Sequence, residues 1–101
     1  MMPPPRRIGT RAFIDLLSEI SNGHICEDGF CQYIATTTGV VCLIAKDNYR
    51  YTFFSEDLDL RYPIRLRVDK FNGSEEMQFY DIKDKEDLIE SLPSIILMHS
   101  I

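Results

Sequence analysis

Apolar side chains recur along this chain with two different periods. Phe13, Leu16, Leu17 and Ile20 fall at i, i+3, i+4 and i+7, the single stripe of an amphipathic helix. Thr10 is positioned to cap its start. Asn22-Gly23 supplies a left-handed stop, and Asp15, Ser18 and Glu19 take the wet side. Arg11 sits near the positive end of this helix, where a cation is slightly unfavourable, so it is expected to have a partner elsewhere. From Phe30 the β-formers alternate to Thr37, and Val40 to Ala45 is apolar on both faces, as in a covered strand. Asp47-Asn48 makes a turn. Tyr49, Tyr51 and Phe53 then share one face of a strand whose other face carries Arg50, Thr52 and Phe54.

After an acidic loop with Leu58 and Leu60, Pro63 opens a strand with clear alternation. Ile64, Leu66 and Val68 are expected inward; Arg65, Arg67 and Asp69 outward. Asn72-Gly73 signals a hairpin into a returning strand with Met77 and Phe79 on one face, Gln78 and Tyr80 on the other. A second helix starts near Asp84, with Asp87 placed as a variant capping box and Leu88, Ile89 and Leu92 as its apolar side. Pro93 is expected to end it. The tail from Ser94 to Ile101 then reads either as a last strand or as a segment buried against a partner. Residues 1–8, with Pro3, Pro4 and Pro5 before Arg6 and Arg7, read as a flexible arm, leaving 9–101 as one domain. The expected order is helix, five strands, helix, in a mainly β chain built as a small antiparallel barrel with flanking helices.

Charge changes this picture on one point. The net charge is −5, and the imbalance sits in the second half of the 101 residues. That balance argues against loose phosphate binding across the whole domain, though it leaves room for a local basic face. Three cysteines, Cys26, Cys31 and Cys42, make an odd count without a signal-type leader, which reads as reduced thiols and an intracellular chain in cytoplasm or nucleus. No apolar run approaches a membrane span.

Candidate chemistry is sparse. His24, Cys26, Cys31 and Cys42 are separated by one, four and ten residues, which matches no standard zinc spacing, so no metal and no cofactor are expected. Nucleophilic catalysis needs a nucleophile, a base and an orienting group together. His24 and His99 are the only histidines, and neither lies in a motif; His24 reads as part of a turn and His99 as a fraying end. Glu56/Asp57, Glu75/Glu76 and Glu86/Asp87 read as solvated faces, and the five glycines form no phosphate loop. A non-enzyme is expected. The remaining surface is the middle of the chain, where Tyr49, Tyr51, Arg61, Arg65, Arg67 and Lys70 have the residue types that hold single-stranded nucleic acid by stacking and backbone contact. The competing reading is that the tyrosines fill the core and the arginines only solubilise a sheet.

The central stretch, Gly39-Val-Val-Cys-Leu-Ile followed by Asn48-Tyr-Arg-Tyr-Thr-Phe-Phe-Ser-Glu-Asp-Leu58, resembles the cold-shock-like branch of the OB fold. The run from Pro63 to Ile82 is similar to that family's closing strands. The resemblance implies a small barrel with a base-stacking face. The chain departs from the pattern at Arg50, where a glycine is usual, and at Ser55, where a histidine often follows the paired phenylalanines.

Taken together, the residues predict a non-catalytic interaction domain, an adaptor or subunit of an intracellular assembly that handles RNA or DNA. Its partner is expected to be another protein chain, a second copy included, met through Leu88, Leu92, Ile95, Leu97 and Met98. Direct binding of single-stranded nucleic acid by the OB-like face is the alternative.

Overall fold

A computed structural model describes residues 8–25, 33–35, 40–45, 49–55, 60–70 and 76–99. Its elements run α1 (Thr10–Ile20), β1 (Tyr33–Ala35), β2 (Val40–Ile44), β3 (Tyr49–Phe54), β4 (Ile64–Lys70), β5 (Met77–Ile82) and α2 (Lys85–His99). The body of the sheet is the antiparallel triplet β3-β4-β5, and β2 and the short β1 continue it as an antiparallel meander. A mainly β chain with flanking helices is therefore what forms.

The barrel is not. Among the described residues β1 pairs only with β2 and β5 only with β4, so the sheet is open at both sides. The reason lies in what covers its apolar face. Tyr51 and Phe53 of β3, Ile64, Leu66 and Val68 of β4, and Ile82 of β5 are buried together with Phe13, Ile14 and Leu17 of α1 and Leu88 and Leu92 of α2. Phe13 meets Phe53 edge-on, with ring centroids 5.2 Å apart. The helices bury the face that a barrel would have to bury against itself.

α1 starts one residue earlier than a Thr10 cap would require: Gly9 stands at the N-cap and Thr10 is the first helical residue. Its expected stripe is buried or half-buried, with Ile14 added. Arg11 pairs with Asp15 one turn on, at 3.3 Å. The stop falls where expected, with Asn22 and Gly23 at φ 54° and 78° and the Gly23 N–H donating to the Ser18 carbonyl at 2.8 Å. Ile8, the last residue of the expected arm, packs against the core and donates from its backbone to Leu60. Residues 1–7, the turn at Asp47-Asn48, Leu58 and the Asn72-Gly73 hairpin lie outside the described residues.

α2 departs most from expectation. It does not end at Pro93, and no last strand forms; the helix runs through Pro93 to His99. Leu88, Leu92, Ile95 and Ile96 fall at i, i+4, i+7 and i+8 and are all buried. Proline in a helix interior costs about 3 kcal/mol. Burying each large aliphatic side chain contributes about 1.5–3 kcal/mol, so Ile95 and Ile96 together offset that cost. Pro93 and Ile89, whose carbonyl loses its helical donor, are both exposed, so water can serve that oxygen. The start of α2 follows the capping pattern. Asp84 accepts from the Asp87 N–H at 2.8 Å, and Asp87 accepts from the Lys83 N–H at 2.9 Å and from the Ser91 hydroxyl at 2.9 Å.

Two outcomes follow for α2. Pro93→Ala should raise stability by about 1–3 kcal/mol, seen in urea as a higher midpoint at unchanged slope. The Asp87 carboxyl is held below its ordinary range, first by the Lys83 backbone N–H, then by Ser91 and the Lys83 charge. A lowered folded-state pKa gives stability that is fully present above the unfolded value and is lost as pH falls through the folded one. Asp87→Asn should therefore lower stability at neutral pH and flatten the acid limb of a pH–stability curve; an unchanged limb would remove this role.

Candidate interaction surface

Register decides where each expected site residue goes. Tyr49 stands opposite Lys70, Tyr51 opposite Val68, Thr52 opposite Arg67 and Phe54 opposite Arg65. Directly opposed residues share a face. Tyr49, Tyr51 and Lys70 thus belong to the helix-covered face, and Arg65 and Arg67 to the other. Tyr51 is 0% exposed, in the core. Tyr49 is half-buried beside it. The six residues expected to form one nucleic-acid face are not brought together: a base cannot stack on Tyr51 while the arginines point away from it. Arg61 is half-buried ahead of β4, and Lys70 is exposed, with its Nζ 6.0 Å from the Tyr49 ring centre.

The arginine face is also largely neutralised. Arg50 donates from Nε to Asp69 Oδ1 at 3.2 Å and from Nη2 to Oδ2. Asp69, expected outward, is on this face but only 3% exposed, and the Arg50 guanidinium bonds both of its carboxylate oxygens. Arg65 Nε meets Asp81 Oδ1 at 3.1 Å across the β4–β5 pair. Two of the three arginines on this face therefore spend their charge on the neighbouring strand.

The expected protein interface divides as well. Leu88, Leu92 and Ile95 are buried in the chain's own core, because the stripe continues through Pro93 and faces the sheet. Leu97 and Met98 fall off that stripe and are 69% and 59% exposed. Met77 and Phe79, on the outward face of β5, are exposed too, Phe79 by 54%. The sequence marks these two only as strand residues. Alternation shows that one face of β5 is apolar, and not that nothing covers it.

α2 folds back along β5. His99, in its last turn, is within 2.9 Å of the Tyr80 hydroxyl through Nε2 and lies 5.3 Å from the Tyr49 ring. The expected fraying end is a docked one. Burial pushes the Tyr80 hydroxyl above its ordinary range. Between the strand and the helix lies an open groove of about 500 Å³, lined on one side by β5 from Phe79 to Ile82 and on the other by Glu90, Ser91, Ser94 and Ile95. A second cavity, about 290 Å³, is lined by Phe54, Pro63, Ile64, Arg65 and Asp81. Among the described residues that line them, neither gathers a base, a nucleophile and an orienting group.

His24 is half-buried in the turn after α1, and Cys26 and Cys31 lie outside the described residues. Among the described residues no three His, Cys, Asp or Glu side chains converge as a metal site would require. No described helix is long and apolar enough to cross a membrane. No protein-family model matches the chain, and no curated protein or solved structure matches it at a significant level.

The two ion pairs should separate on mutation. Arg50→Ala leaves the buried Asp69 carboxylate without this partner. It should cost about 2 kcal/mol, less than a fully buried pair because Arg50 is partly exposed. Arg65→Ala breaks a solvent-screened pair and should stay within about 0.5 kcal/mol. Urea unfolding of both variants measures the difference, and equal losses would contradict it.

Proposed function

We propose that this chain is a non-catalytic protein-interaction domain, an adaptor or subunit of a larger assembly, that meets its partner along the β5–α2 side. One observation carries the reading. Met77 and Phe79 on the outward face of β5, and Leu97 and Met98 off the buried stripe of α2, are large, apolar and exposed on two elements that pack against each other, so apolar side chains flank the β5–α2 seam. Large apolar side chains left in water beside one seam favour association. Aromatic and methionine side chains are also the types enriched at interface centres. The acidic net charge and the separation of Tyr51 from Arg65 and Arg67 favour a protein partner over single-stranded nucleic acid.

The test is recovery of the full chain with its bound molecules from cells, at high salt to suppress charge-only contacts. A stoichiometric protein partner is expected with the native chain. It should be lost in a Phe79→Ser/Leu97→Ser variant whose unfolding midpoint is not lowered, since both side chains are solvent-exposed. Recovery of nucleic acid alone, or of the same partner with the variant, overturns the reading.

A further inference from the structure

The groove beside β5 has a geometry that a surface dimple would not have. Its strand side is four consecutive residues, Phe79 to Ile82. Successive residues of a strand point to opposite faces. A cavity touching all four therefore lies beside the strand's backbone edge, and not over either face. That edge is the unpaired one: among the described residues β5 pairs with β4 on one side only. α2 forms the opposite wall through Glu90 and Ser94.

The edge also lacks the usual protection. Exposed edge strands are commonly blunted by lysine, proline or inward charge. From Met77 to Ile82 the only charged residue is Asp81, and there is no proline. The walls are chemically graded. The exposed Glu90 makes one end acidic, Asp81 being paired with Arg65, and Lys83 and Lys85 lie beyond it at the β5–α2 junction. Toward the other end stand Phe79 and Met77. Ser91, Ser94 and Met98 are spaced three and four residues apart, so Met98 continues the helix wall in that direction.

Resting on the interaction reading above, we propose that β5 binds an extended segment of a partner protein by strand addition in the β5–α2 groove. The segment carries a basic residue toward Glu90 and an apolar residue toward Phe79 and Met98. Backbone hydrogen bonds to the β5 edge hold it, and the graded walls select its side chains. Six strand residues span about 20 Å, enough to pair with a segment of similar length.

The experiment pans a random octapeptide library, displayed on phage, against the immobilised full chain. Enriched sequences should carry Lys or Arg toward one end and an apolar residue toward the other. A synthetic peptide from the enriched set should slow hydrogen exchange at β5 amides. N-methylation of alternate peptide amides should weaken it at least about tenfold, because edge pairing needs those N–H groups. Ser94→Arg, which fills the groove from an exposed helical site, should also weaken it at least about tenfold. Glu90→Lys should reverse the preference for basic peptides. Absence of enrichment, acidic enrichment, or equal binding to Ser94→Arg overturns strand addition. So does concentration-dependent protection of β5 without peptide, which would mark pairing between two copies. If Ser94→Arg leaves capture of the cellular partner intact while Phe79→Ser/Leu97→Ser abolishes it, strand addition fails and the interaction reading stands. If no protein is captured, the interaction reading itself fails.

Discussion

The contact on which this structure depends is the seating of α2 on the inner face of the sheet. Leu88, Leu92, Ile95 and Ile96 reach the face that also carries Tyr51, Leu66 and Ile82, and α1 completes the cover through Phe13 and Leu17. A sheet this small is marginal with one apolar face wet. Once helices occupy that face, the strands need not curl onto one another. The same seating brings His99 against Tyr80 and Tyr49, which fixes the end of the helix and sets the width of the groove beside β5.

Pro93 shows how packing overrides a local rule. Residues before a proline disfavour helical geometry, and the proline removes one hydrogen bond. Both penalties are local and bounded. The apolar stripe on either side of Pro93 has one phase, so continuing the helix buries Ile95 and Ile96 on the side that Leu88 and Leu92 already occupy. Stopping at Pro93 would have left them wet. The continuation has a second effect: Leu97 turns to the side opposite Ile95 and Met98 to the flank of the stripe, and both are exposed.

Pairing register does the equivalent work in the sheet. Tyr51 and Arg67 are close in type and position to a base-stacking set, yet opposed pairs Tyr51–Val68 and Thr52–Arg67 put them on opposite faces. The buried Arg50–Asp69 pair and the exposed Arg65–Asp81 pair then use the outward arginines within the sheet. What stays available is at the edge: a strand with one charge, two exposed apolar side chains and a helix standing beside it.

The three strands of the sheet's body, β3, β4 and β5, were legible in the sequence. Period-two alternation named the faces of β3 and β4, the apolar stripe named α1, and Asn22-Gly23 and Asp84/Asp87 marked helix ends, because each signal acts within a few residues. The resemblance of the central stretch to a barrel-forming family drew on the same local signals. They report that a face is apolar, and are silent on what covers it. Whether the sheet closes on itself or lies under helices is a choice between distant surfaces, made by burial summed over both. Tertiary packing alone decided that Ile95 is core and Leu97 is surface, that Asp69 is gripped inside its own sheet, and that the edge of β5 faces an open groove. The sequence by itself determined which residues are apolar and with what period; the free energy of burying them together determined which are left for a partner to find.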